Sequence, residues 1–284
     1  MVELLRHKVR FGELSYGPFM HNATFFDLLI EATEELSYEL GYTVEEIVDA
    51  GGVPYAPVAI HAELSRYPRY DDTVVVGVDP VAVGETNVQF EYRFERAADG
   101  ERFGTARMVQ ITITPEGTAE PVPEDVRAEL EARGPAGLEP IEITPRAPEG
   151  DGARFTREVP FRTPHIEAAG LGYFEDYARE LSICLETFLE DRGHSLGTLT
   201  DGTYPFVPVD WNFTLERSIR FEDDIEIVGQ TLDADDRSID IAYQLRRPAT
   251  DDICIRGDVT YGCFGGDGER VAFPSEAVEL FGDE

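Results

Sequence analysis

The 284-residue chain predicts an α+β protein made of two consecutive copies of one small unit, each a long helix followed by an antiparallel meander. Three observations carry this. Segments recur about 150 residues apart: Val9-x-Phe11 returns as Val159-x-Phe161, Tyr70-Asp71-Asp72-Thr73-Val74 as Phe221-Glu222-Asp223-Asp224-Ile225, and Val122-Pro123-Glu124 as Phe273-Pro274-Ser275. Each half holds one long run of helical periodicity, and the remaining periodic segments are short, extended and divided by turn dipeptides. A period this long is not that of a solenoid, so the copies are two whole folding units packed as the covalent counterpart of a two-fold dimer. Function is then expected where they meet.

The elements follow in order. Met1 to Arg10 alternates like a strand. Phe25, Leu28, Leu29, Ala32, Leu36 and Leu40 share one helix face, and Gly41 supplies the C-terminal stop. Val44 to Ala50 adds a short helix ending at Gly51-Gly52, after which Pro54 and Pro57 admit an extended segment through Arg66. Strands are expected at Thr73 to Val83, Asn87 to Ala97 and Arg102 to Thr114, with Gly84-Glu85 and Asp99-Gly100 as turns. The second copy repeats the order. Its helix, Tyr173 to Arg192, carries Phe174, Tyr177, Leu181, Cys184, Leu185 and Phe188 on one face and stops at Gly193; its strands are Val207 to Leu215, Ile225 to Leu232, Ser238 to Leu245 and Ile253 to Phe264. Residues 135–152, dense in Pro and Gly, read as a linker between module 1 (residues 1–134) and module 2 (residues 153–284).

The chain has 57 acidic against 24 basic residues, a formal charge of -33, yet is 42% hydrophobic. That apolar content builds cores, which excludes a disordered acidic chain. The acids are spread over every exposed segment and Lys8 is the one lysine, a pattern expected of a halophile, in which densely hydrated carboxylates keep a surface soluble in strong salt. No basic stripe exists to neutralise phosphates, so no nucleic-acid partner is expected. No apolar run is long enough to span a bilayer and no signal-peptide core is present, so no membrane partner and a cytoplasmic location are expected. Cys184, Cys254 and Cys263 show no CxxC spacing; Cys184 and Cys254 read as packing residues, and no metal or redox cofactor is expected.

The run Val9-Arg10-Phe11-Gly12-Glu13-Leu14-Ser15-Tyr16-Gly17-Pro18-Phe19-Met20-His21-Asn22-Ala23-Thr24-Phe25, continuing to Glu31-Ala32, resembles the opening of the 4-hydroxybenzoyl-CoA thioesterase and acyl-CoA thioester hydrolase family. Arg69-Tyr70-Asp71-Asp72 and Arg220-Phe221-Glu222-Asp223-Asp224 resemble that family's turn before a long strand. The resemblance implies a tandem hot-dog fold, each copy a long helix wrapped by a curved antiparallel sheet, and hydrolysis of small or medium acyl-CoA thioesters; acyl-carrier-protein thioesters remain as alternative substrates, and a homo-oligomer of double hot-dogs is expected. The chain departs from the family at Ser15, which stands where the catalytic Asp is usual. Phe161 to Gly170 restores an acid, Glu167, with two extra residues before it and about three fewer before the helix, on the pairing of Val9 with Val159.

Thioester hydrolysis needs a carboxylate to activate water or attack the carbonyl, and donors for the oxyanion, which the family takes from the start of the long helix. Glu13, His21 and Asn22 flank the first helix start, and His165 and Glu167 the second; these five are the catalytic candidates, with Glu31 and Glu180 as further helix carboxylates. Each also has a plain structural reading as cap, solvated edge or packing residue, and His61 reads as a strand residue or a lining of an acyl tunnel. Arg66, Arg69, Arg217 and Arg220 occupy matching turns and are candidates for CoA phosphates, or salt-bridge partners on an acidic surface. Two other readings stay open: a non-catalytic acyl-thioester binding or scaffolding protein, suggested by Ser15, and a hot-dog hydratase or dehydratase, for which the chain lacks an Asp-x-Asn-Pro-x-His element. The charge leads to a first expected outcome. Dense carboxylates repel over a screening length of about 30 Å at 0.01 M salt, so thermal unfolding should lose cooperativity as salt is removed and regain it in molar salt; equal melting in both would count against halophilic adaptation.

Overall fold

The structure is a computed structural model that describes residues 2–114, 116–134, 138–149, 151–200 and 202–282, with side chains from residue 4 onward. In chain order the elements are β1 (Val2–Lys8), α1 (Asn22–Leu40), α2 (Val44–Asp49), β2 (Val53–Leu64), β3 (Thr73–Val83), β4 (Asn87–Arg96), β5 (Arg102–Ile113), β6 (Ala119–Glu120) and α3 (Glu124–Arg133). The second half runs β7 (Arg154–Pro160), α4 (Phe174–Asp191), α5 (Leu196–Leu199), β8 (Thr203–Leu215), β9 (Asp224–Ala234), β10 (Ile239–Arg247), β11 (Asp252–Gly265), β12 (Arg270–Val271) and α6 (Ser275–Glu279). The two long helices and the long strands match the periodicity. Gly41 takes the left-handed conformation (φ 67°) that ends α1.

One antiparallel sheet runs through the whole chain in the order β1-β3-β4-β5-β2-β8-β11-β10-β9-β7. The order is a palindrome: each strand of one half sits where its counterpart sits in the other. The seam is β2 against β8, paired from Ala59 with Thr214 to Glu63 with Asp210, with His61 opposite Asn212 at its centre. His61 and Asn212 are themselves counterparts, since Ile60 pairs with Met108 on β5 as Trp211 pairs with Val259 on β11. The pseudo-two-fold axis therefore passes through this pair. This is the architecture of a tandem hot-dog.

Both helices lie on one face of the sheet and meet across the axis. Phe26 of α1 packs edge-on against Phe174 of α4 at 5.1 Å. The single tryptophan, Trp211 on β8, is 1% exposed and stacks on Phe25 of α1 at 5.8 Å with Phe26 against its edge, so the second copy's strand is anchored in the first copy's helix. The opposite face of the sheet is polar, and residues 138–149 cross it without helix or strand. This strap is pinned where Ile141 exchanges two hydrogen bonds with the Gln89 amide and where the Arg146 backbone and guanidinium both donate to Asp258. Of the expected linker, residues 135–137 and 150 lie outside the described residues, as does Met1 of the first strand.

The hydrogen bonds correct the pairing of the two copies. Val9 exchanges backbone bonds with Asp71 and Asp72, and it is Phe161, not Val159, that does so with Glu222 and Asp223. From there the loops match without insertion or deletion. Ser15 N–H donates to Phe19 as Glu167 N–H does to Leu171, and His21 N–H donates to Glu13 as Tyr173 N–H does to His165. Glu167 thus stands at the position of Ser15, and the extra residues inferred from the Val9–Val159 pairing vanish. A two-residue slip preserves strand alternation, so side-chain pattern alone admits either pairing. The recurrent Pro123 and Pro274 each stand just before a helix, α3 and α6, that periodicity did not indicate; α3 is polar and buries only Val126 and Leu130. Truncating Trp211 to Ala should cost about 3–5 kcal/mol, read as a lowered denaturation midpoint in molar salt; a cost near zero would mean that the two copies do not depend on this anchor.

Candidate active site at the helix crossing

The crossing of α1 and α4 gathers charged side chains from both copies. An open cleft of about 300 Å³ is lined by His7, Glu13, His21, Thr24, Asp27 and Glu31 of the first copy and Arg179 of the second. Across the crossing Asp27 shares a hydrogen bond with Glu175 of α4. Burial, then the nearness of Glu175, pushes the Asp27 carboxyl up to about 7, while burial raises Glu175 as well, so the pair holds a proton well above the usual carboxylate range. Arg179 is bound to Asp176 at 2.6 Å and offsets part of this negative charge. Glu175 also extends the cluster to Glu167, whose carboxyl is raised first by burial and then by Glu175.

The two helix starts differ. In α1, His21 is the N-cap: its Nδ1 accepts the Ala23 N–H at 3.0 Å, and Asn22 Oδ1 accepts the same donor at 3.1 Å. Burial and Arg179 lower His21 to about 4, so the ring is neutral near pH 7 and, with Nδ1 accepting, carries its proton on Nε2. In α4 the N-cap is Tyr173, whose side chain makes no cap bond. The first-turn donors of α4 therefore lack a side-chain acceptor from the N-cap, at the end where the helix dipole favours negative charge.

The remaining candidates fall into place. Glu13 Oε2 accepts from His7 at 2.9 Å and from Arg10 N–H at 2.7 Å, which makes it the cap of a tight turn at the cleft rim. Its counterpart His165 accepts from Arg162 N–H through Nδ1 and sets Nε2 3.5 Å from Glu180, a 6% exposed carboxylate also held by Arg157. His165 thus pairs with Glu180, and no bond joins it to Glu167 among the described residues. Arg66 is bound to Glu269, and Arg69 donates to the Gly266 carbonyl and lies over the Phe19 ring at 5.5 Å, so both tie the first copy's turn to the β11–β12 hairpin of the second. Arg217 faces Asp252 at 3.5 Å, and Arg220 takes its place in a turn closed by Asp223 on its N–H. His61 lies on the outer face, because Ile60, Ala62 and Leu64 take the inner one, so it lines no tunnel under the helices. Burial lifts the Cys184 thiol to about 12 and the Cys254 thiol to about 11, as suits packing residues.

Asp27, Glu175 and Arg179 are the members that sequence reasoning missed. Asp27 lies one turn before Glu31 on the same helix face, which was the one available signal; its partners come from the other copy.

Fold and site together define a double hot-dog with an acid-rich cleft shared by its two halves. Residues 9–130 match the family model described as the thioesterase-like superfamily. Similar solved structures include a candidate oleoyl thioesterase from Lactobacillus plantarum (TM-score 0.75, 15% identity, 95% of this chain and 96% of that one) and the 12:0-ACP thioesterase of Umbellularia californica (0.72, 11%, 90% and 92%). An acyl-ACP thioesterase of Bacteroides thetaiotaomicron follows (0.66, 11%, 90% and 96%). Identities this low establish the shared fold. No curated protein sequence matches the chain.

The acid pair sets a pH dependence. An unfolded Asp titrates near 3.8 and Asp27 near 7, so between these values the folded chain keeps a proton that the unfolded chain has released, and stability falls as pH rises through that window. Asp27→Asn removes the titrating group and should flatten the decline of the melting midpoint across it; an unchanged slope would mean that the pair carries no shared proton.

Proposed function

We propose that the chain hydrolyses acyl thioesters, with small or medium acyl groups on coenzyme A, at the start of α4. Glu167 is the general base. A carboxylate whose affinity for protons is raised by burial is better matched to taking a proton from water near neutral pH than an ordinary exposed one. The activated water forms a C–O bond at the thioester carbonyl, the oxyanion is received by first-turn N–H groups of α4, and the C–S bond then breaks with the proton passing from Glu167 to the departing sulfur. The proton held by Asp27 and Glu175 matters here, because two bare carboxylates at the helix start would oppose that oxyanion. His21 presents a neutral ring to the cleft.

One asymmetry carries the reading: Glu167 occupies the position of Ser15 and lies beside the helix start without a side-chain cap, whereas the start of α1 is closed by His21 and Asn22. The match of the first copy to the thioesterase-like superfamily supports the reaction class. Two similar structures are of thioesterases acting on acyl-ACP, so a carrier-protein thioester stands beside CoA as a substrate. Binding without turnover is the second reading, favoured by Ser15 and by the engagement of Glu13 with His7. The test is turnover of an acyl-CoA panel in molar salt. Glu167→Gln keeps shape but removes the base and should lower kcat by about 10² or more with stability nearly intact, while Glu13→Gln should retain most activity. The reverse outcome would place the reaction in the first copy, and an inactive parent would leave binding alone.

A further inference from the structure

Linear spacing shows no metal motif, yet among the described residues one group of ligand-type side chains converges: His61 and Glu63 of β2 with Asp210 of β8. It lies on the outer sheet face, at the seam and away from the cleft. Glu63 and Asp210 stand directly opposite one another across the seam, and like charges in that position destabilise an antiparallel pair. Asp210 is partly relieved by His61 and by the Asn212 amide N–H, which donates to its Oδ1 at 3.2 Å, while Glu63 faces His61 at 3.8 Å. Of the three arginines that share the adjoining cleft with Glu63, Arg93, Arg102 and Arg107, Arg93 and Arg107 are both bound to Glu91, and Arg146 serves Asp258 and Asp240. His61 Nε2 is 3.3 Å from Asp210 Oδ2 and 3.8 Å from Glu63 Oε1. Two ligand atoms on one tetrahedral zinc ion, bonded at about 2.0–2.1 Å, lie about 3.4 Å apart. The three ligand atoms all fall within 4.8 Å of one another, so small side-chain rotations bring them onto one ion.

We propose that His61, Glu63 and Asp210 bind one divalent transition-metal ion of the zinc class, which joins the two copies at their seam. Two carboxylates neutralise the ion and one imidazole selects it over magnesium, which prefers an all-oxygen shell; water completes four ligands. The symmetry mate of the site has none of this chemistry, because Thr214 and Ala59 stand where Glu63 and Asp210 would recur, so the stoichiometry is one ion per chain. Equilibrium dialysis of the chelator-stripped full chain against Zn²⁺ in molar salt, with thermal unfolding alongside, tests this. The expected results are one ion bound, a higher melting midpoint with Zn²⁺ than with equal Mg²⁺, and affinity lowered by about 100-fold or more in His61→Gln, since losing a residue that merely orients a ligand costs about 10–100-fold. Asp210→Asn should lose the response of the melting midpoint to Zn²⁺. Equal effects of Mg²⁺ and Zn²⁺, or undiminished Zn²⁺ binding by His61→Gln, would reduce the binding to general attraction by an acidic surface and overturn the proposal.

Discussion

Five consecutive residue pairs, Ala59–Thr214 to Glu63–Asp210, decide the geometry of everything else. Because β2 and β8 are counterparts joined antiparallel and centred on one pair, their ladder imposes a two-fold on the two halves. The sheet becomes continuous, both helices fall on the same face, and their N-terminal halves cross. The seam is short for this task and is reinforced from the inner side by Trp211 against Phe25 and Phe26. It is also crossed on the outer side by the strap through Ile141 and Arg146. Apolar burial and polar pinning thus act on opposite faces of one ladder.

The cleft inherits its chemistry from that crossing. Asp27 keeps a proton first because it is buried there and then because Glu175 is near, and Arg179 offsets part of the charge. The acidic surface at large is a different matter: it is distributed, hydrated and screened by salt, whereas the charges at the crossing are few, mutually bonded and partly shielded from solvent.

Much of the fold was legible in the chain. Periodicities of 3.6 and 2 located both long helices and the long strands, with Gly41 and Gly193 placing the stops, because each element buries one face against its own unit. What could not be read depends on contacts between elements far apart in sequence. Helices α3 and α6 bury too few apolar residues to show a period, and the alignment of Phe161 with Val9 was hidden by the near-identity of Val159. Glu167 reads from the sequence as the acid that Ser15 lacks, but with two extra residues before it; the gapless alignment comes from the bonds to Phe19 and Leu171. Asp27, Glu175, Arg179 and the His61–Asp210 contact were out of reach, since each gains meaning from a residue in the other half.

Asp27 and Arg179 hold matching places on α1 and α4, a correspondence fixed by the equal length and matching backbone bonds of the loops that precede them. A homodimer of either half would set Asp27 against Asp27, or Arg179 against Arg179, across its axis. Covalent fusion frees the two positions to diverge into opposite charges and lets one copy carry Ser15 while the other carries Glu167. A tandem arrangement turns a self-complementary surface, bound to repeat every feature twice, into a pair of dissimilar partners that can divide labour between them.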